Sequence, residues 1–136
     1  MVGIDTNVLI RHVVQDDEEQ ASLARELIEN RLDAENQAHI PLIVLCEFVW
    51  VLRTAYGYSR KQIARALRQL LVTDCFAVER HDLAWTACYD YDSGSADYAD
   101  CIIACVNRDC GANPTFTFDR KASRNDGFKL LSEPTL

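Results

Sequence analysis

The sequence predicts an α/β fold, a three-layer α/β/α arrangement around a small central parallel sheet. Three observations carry that expectation. Short apolar runs alternate along the chain with longer runs of helical periodicity. Few hairpin signals separate the short runs, so the strands are expected to be joined by helical crossovers and to run parallel. The chain has 136 residues, 49% of them hydrophobic, enough for one domain, 1–136, whose sheet is covered on both faces.

The elements follow in order. Val2 to Ile4 reads as a first strand, and Asn7 to Val14 as a short helix with Thr6 or Asn7 as its cap. Asp16 is expected to cap a second helix, with Asp17, Glu18 and Glu19 in its first turn, where the helix dipole favours acids. Ala21, Leu23, Ala24, Leu27 and Ile28 supply its apolar face, and Asn30 to Gln37 is a polar break. A brief strand is expected at His39 to Pro41. The stretch PLIVLCEFVWVLRTAYG then opens on Pro41, closes on Gly57 and is helical, with apolar residues nearly all round it. Such a helix is expected to be deeply buried or to meet another subunit.

Ser59 caps the next helix, Arg60 to about Leu71, whose Ile63, Ala66, Leu67 and Leu70 face inward. Cys75 to Val78 reads as a strand. A helix begins near His81 with Leu83, Ala84, Ala87 and Cys88 as its stripe, and Tyr89 to Ser95 reads as a turn region. Asp97 to Asn107 is an apolar helix ending before Gly111. Pro114 to Phe118 is a strand by its Phe/Thr content, followed by a helical turn at Lys121 to Asn125 and a last strand at Phe128 to Leu131. The tail from Ser132 carries no readable signal.

Composition narrows the function. A net charge of −7 argues against a whole-protein electrostatic grip on nucleic acid. It leaves room for a local one, because acids gathered in a metal site raise the negative count while nearby bases still meet phosphate. Those bases are scattered: Arg60, Lys61, Arg65 and Arg68 in one segment, Arg120, Lys121 and Arg124 in another. The six cysteines form no CxxC pair, and Cys46, Cys101 and Cys105 lie in apolar helical runs, so they read as reduced thiols of a cytoplasmic protein. With His12, His39 and His81 scattered, no zinc spacing is present. Asp5 and Arg11 interrupt the early apolar run, so no signal peptide is expected, and no run reaches transmembrane length.

The acids point to chemistry. Asp5 stands at the carboxyl end of the first strand, and Asp119 directly follows the strand TFTF. In a parallel sheet such ends share one edge. Asp97 and Asp100 are three apart, hence on one helix face, at the start of the run CIIACV. Glu47 interrupts a nearly wholly apolar helix, where a buried carboxylate is costly unless paired or bound to metal. Taken singly, each has an ordinary explanation: a helix cap for Asp5, N-terminal helix charge for Asp97, an ion pair with Arg53 for Glu47. Brought together, they would repel one another without a cation. All-oxygen ligands favour Mg²⁺ or Mn²⁺, a chemistry that commonly handles phosphate. Thr6 and Thr117 are placed to position water or a phosphate oxygen, and Asn7 to orient a carboxylate.

These segments resemble PIN-domain proteins, and most closely the VapC-type toxins of bacterial toxin–antitoxin pairs. The likeness covers essentially the full length: GIDTNVLIR, PLIVLCEFVWVLRTAYG, SADYADCIIA and TFTFDRKA, in that order and spacing. The resemblance implies a small parallel sheet flanked by helices and an acidic pocket for Mg²⁺ or Mn²⁺. Asp5, Glu47, Asp100 and Asp119 match the family's four acids. Asp97 matches an extra acid of the subgroup, and Thr6 and Thr117 match its hydroxyls. It further implies an endoribonuclease that hydrolyses RNA phosphodiesters, with Arg11, Arg53, Arg120 and Lys121 toward the backbone. A homodimer and a cognate antitoxin complete the expectation.

Other readings compete. The same pocket would serve a PIN-type nuclease of RNA processing, a DNA nuclease or a phosphatase. A phosphoaspartate phosphatase would want Asp-x-Asp after the first strand, where this chain has Asp5, Thr6 and Asn7. A non-catalytic module would keep its acids apart and individually paired. A receiver-like domain would want its acceptor after a middle strand, which does not fit the order here.

Overall fold

The computed structural model describes residues 1–132, so positions 133–136 of the expected featureless tail lie outside the described residues. These residues form two compact units, Met1–His81 and one beginning at Asp82.

The first unit contains β1 (Val2–Gly3), α1 (Thr6–Val13), α2 (Glu18–Arg25), β2 (Ala38–Ile40), α3 (Leu42–Thr54), α4 (Arg60–Leu71) and β3 (Phe76–Val78). Its strands lie in the order β1-β2-β3 and pair parallel, with Val2 beside Ala38 and Ala38 beside Phe76. Parallel pairing puts the carboxyl ends of β1 and β2 on one edge. There Asp5 starts α1 and Pro41 starts α3. The core is apolar: Leu9, Ile40, Leu45, Phe48, Leu52, Ile63 and Leu67 are all but inaccessible. Each such side chain contributes about 1.5–3 kcal/mol by leaving water.

The second unit contains α5 (His81–Ser93), α6 (Tyr98–Asp109), β4 (Thr115–Thr117) and β5 (Phe128–Leu130). β4 and β5 pair parallel, Thr115 beside Phe128, joined through a 3₁₀ turn at Ala122–Arg124. Tyr91 and Tyr98 pack edge to face at 6.1 Å, and the Tyr98 hydroxyl donates to the Ala84 carbonyl at 3.0 Å. All six cysteines are free thiols, with Cys75, Cys88, Cys101 and Cys105 buried.

Six α-helices and small parallel sheets bear out the α/β class predicted from sequence. Among the described residues, no helix is long and apolar enough to cross a membrane. The Ser59 cap is as predicted and is a full capping box: Gln62 N–H donates to Ser59 Oγ, and Ser59 N–H donates to the Gln62 side chain.

Several local expectations change. Asp5, rather than Thr6 or Asn7, is the α1 cap residue. Asp17, rather than Asp16, caps α2 by accepting from Gln20 N–H, because Asp16 is drawn to Arg11 and the Tyr56 hydroxyl. α2 continues as a π-helical turn over Glu26–Arg31, past the expected polar break at Asn30. Leu23, expected in the core, is 66% exposed. α5 runs on through Tyr89 to Ser93, because its buried stripe of Ala84, Ala87 and Cys88 continues to Tyr91.

The largest change concerns α3. It buries Val44, Leu45, Phe48, Val49 and Leu52 but leaves Ile43, Glu47 and Trp50 exposed at helical spacing on the other face. Glu47 is therefore not a buried carboxylate, and the cost of burying a charge does not explain it.

Candidate metal-binding acidic site

In the first unit, Thr6 is the organising residue. Its side chain is buried, 6% exposed. Its backbone N–H donates to Asp5 Oδ1 at 2.7 Å, and its hydroxyl donates to Glu47 Oε1 at 3.2 Å. Thr6 thus links the carboxylate of its neighbour Asp5 to that of Glu47, 41 positions further along the chain. Local structure makes this happen. Asp5 is extended (φ −91°, ψ 166°), so its side chain folds over the first N–H of α1 while Thr6 turns into the core. Asn7, the next residue, is exposed and lines a groove of about 390 Å³ with Val8, Arg11, Leu23, Leu27 and Arg31.

In the second unit, α6 starts with Asp97 as its cap residue and Asp100 in its first turn. The Asp97 side chain makes no capping bond. Instead the Asp100 carboxylate accepts from the Asp97 backbone N–H, the reverse half of a capping box. Asp100 is half-buried, and burial raises its pKa, with the charges of Asp97 and then Asp119 pushing the same way. The Asp97 N–H acts against them but does not overcome them.

Asp119 directly follows β4. Its Oδ1 accepts from Lys121 N–H at 2.8 Å and Ala122 N–H at 3.2 Å, and its own N–H donates to Thr117 Oγ1 at 3.0 Å. This tight turn is braced from behind. Asn125 Nδ2 donates to the Lys121 carbonyl at 3.0 Å, and Ser95 N–H donates to Asn125 Oδ1 at 3.3 Å. Gly94 permits that approach, since a Cβ there would strike Asn125 Oδ1. Sequence reasoning missed Asn125 and Gly94; the signal was the Asn-Asp-Gly turn at 125–127.

The structure thus brings Asp5, Thr6 and Glu47 together, and separately Asp97, Asp100, Asp119 and Thr117. Asn7 joins neither set by a hydrogen bond. Among the described residues, no three His, Cys, Asp or Glu side chains are already drawn into a metal-holding group. Arg11, expected toward a nucleic-acid backbone, is engaged instead. Its Nη1 donates to Asp16 at 2.9 Å and to Tyr56 at 3.0 Å, and its Nε donates to Gln20 at 2.7 Å. Arg120 and Lys121 are exposed.

All-oxygen carboxylate donors of this kind suit a hard divalent cation. Asp5, Glu47 and Asp119 each have one carboxylate oxygen fixed by the chain, while among the described residues the second oxygen accepts no hydrogen bond. Fixing one oxygen orients the other, as in carboxylates that ligate metals. Asp100 adds an anion whose repulsion from Asp97 and Asp119 a cation would relieve.

Asp5 and Asp119, at strand ends, and Asp97 and Asp100, at a helix start, stand where parallel α/β folds place their ligand chemistry. Residues 2–127 match the model of the PIN domain, and the chain belongs to that family. PIN domains are nuclease folds, typically metal-dependent. No curated protein matches the chain in sequence.

Proposed function

We propose that this chain is a single nuclease domain, an endoribonuclease that hydrolyses RNA phosphodiester bonds with Mg²⁺ or Mn²⁺, and the toxin of a toxin–antitoxin pair. The family supports the nuclease part, and the four motifs that resemble VapC-type toxins support the narrower part. The observation that carries the proposal is the state of the acids: Asp5, Glu47 and Asp119 are each oriented through one oxygen and open at the other.

In this reading Asp5, Glu47, Asp100 and Asp119 would hold the cation, which would supply polarisation of a phosphoryl oxygen and activation of water. Thr6 fixes the direction of two of those carboxylates. The turn braced by Asn125 fixes Asp119, and Thr117 anchors its backbone. Asp97 keeps the local field negative, and Arg120 and Lys121 contact the RNA backbone without reading sequence. The protein acts in the cytoplasm. Its partners are RNA, a second copy and an antitoxin. The groove beside Asn7 and the exposed Ile43 and Trp50 of α3 are surfaces of suitable apolar character.

The test compares purified wild type with Asp5→Asn on single-stranded RNA, duplex DNA and a small phosphoester, with and without Mg²⁺ or Mn²⁺. Cation-dependent cleavage of RNA by the wild type alone is expected. In a growing host, wild type should arrest growth with new RNA ends, and Asp5→Asn should not. Equal toxicity of the two would overturn the catalytic reading.

A further inference from the structure

Phe118 is 79% exposed, more than any other large apolar side chain among the described residues. Such a ring forgoes about 2 kcal/mol of burial that folding alone would reward. It is not a stray surface residue, because its strand is turned inside out. Thr115 and Thr117 are the half-buried positions, while Phe116 and Phe118 face water, at 38% and 79% exposure. The hydroxyls are used within the chain: Asn107 Nδ2 donates to Thr115 Oγ1 at 3.0 Å, and Asp119 N–H donates to Thr117 Oγ1 at 3.0 Å. Those two bonds fix the outward direction of the rings. Phe118 immediately precedes Asp119, whose turn is held rigidly, and two exposed cations, Arg120 and Lys121, follow.

We infer that Phe118 is a stacking platform for one unpaired base of the RNA strand beside the cleaved bond, an inference that rests on the nuclease reading above. The occupant follows from charge. A net charge of −7 argues against a whole-protein electrostatic grip and leaves phosphate contact to local cations such as Arg120 and Lys121, so a contact that does not depend on phosphate adds to their hold on RNA. An exposed aromatic just past the end of β4, beside basic residues, supplies one, since every base has a π-face. Bases within a duplex are already stacked on their neighbours and cannot use it. Phe118 therefore selects single-stranded or looped RNA over duplex.

The experiment measures KM and kcat with Mg²⁺ for wild type, Phe118→Ala and Phe118→Trp. The substrate is a single-stranded RNA, together with a series in which each nucleotide in turn lacks its base. Phe118→Ala should raise KM about tenfold and hold kcat within about twofold, and Phe118→Trp should restore KM. One abasic position should cost the wild type about as much and cost Phe118→Ala nothing. An unchanged KM in Phe118→Ala, or no abasic position coupled to it, overturns the inference and leaves the nuclease reading standing. So does a shift in oligomeric state by sedimentation with KM unchanged, which would assign the ring to a protein contact. A wild type that cleaves no single-stranded RNA with either cation overturns the nuclease reading, and this inference with it.

Discussion

In the first unit, Asp5 and Glu47 both lean on Thr6, a neutral residue with one N–H and one O–H to give. In the second, Asp97 and Asp119 oppose the half-buried Asp100 carboxylate, and backbone N–H groups partly offset the charge on Asp100 and Asp119. The first set is organised by hydrogen bonds to one oxygen of each carboxylate. The second carries a charge burden that burial makes worse. The comparison teaches where a divalent ion would do most for the fold: at Asp100.

Replacing Asp100 with Asn gives the largest expected effect. On the proposed nuclease reading, cleavage should fall about a thousandfold or more, because a proposed ligand charge would be gone. In chelator at neutral pH, however, the variant should melt about 3 °C above the wild type, since the neutral amide escapes both burial of charge and repulsion by Asp97 and Asp119. Asp5→Asn should lose activity without that gain, because Asn also caps helices and still accepts from Thr6 N–H. Added Mn²⁺ should raise the melting temperature of the wild type more than that of Asp100→Asn. Equal thermal gains for Asp5→Asn and Asp100→Asn would erase the difference between the two sets.

Thr6→Val sharpens the comparison from the other side. The methyl matches the hydroxyl in size but cannot donate, so Glu47 loses its anchor while the core stays filled. The expected stability loss is about 1 kcal/mol or less. Cleavage should fall about tenfold, with kcat reduced rather than KM raised, and Thr6→Ser should recover most of it. Urea melts and steady-state kinetics measure both. Full activity in Thr6→Val would mean that Glu47 needs no orienting.

What the sequence discloses here depends on how local the cause is. Asp119 after its strand and Asp97 with Asp100 at a helix start were legible because strand ends and helix starts are set by neighbouring residues. Asp5 was placed correctly, and of the cap candidates Asp5, Thr6 and Asn7 it is Asp5 that caps the helix. Glu47 was singled out for a reason that fails. A helix apolar on nearly every side does not reveal which stripe its neighbours will cover, and α3 leaves Ile43, Glu47 and Trp50 uncovered. The Thr6–Glu47 bond spans 41 positions, and no periodicity encodes it. Arg11 misled similarly: its engagement by Asp16, Gln20 and Tyr56 depends on how α1, α2 and the end of α3 come together.

The smallest effect separates the units by pH. The first unit also has a group that burial disfavours in its charged form, but it is His12, near the far end of α1, about 10 Å along the axis from Asp5. Its ring meets Phe76 edge-on at 6.5 Å. Burial lowers its pKa; Glu29 pulls the other way, and Arg25 adds to the lowering. A histidine lowered in the folded state leaves stability intact above its unfolded value of 6.5 and removes it as pH falls through that value, because the unfolded chain then takes the proton first. In chelator, wild type should therefore lose about 2 °C of melting temperature relative to His12→Gln between about pH 7.5 and pH 5.5. Activity measured at pH 7.5 should be equal in the two proteins, since His12 lies outside both acid sets. Parallel melting curves across that range would mean that His12 is hydrated in solution. Asp100 and Asp90, both raised by burial, would then remain as places where this fold sets a charge against stability.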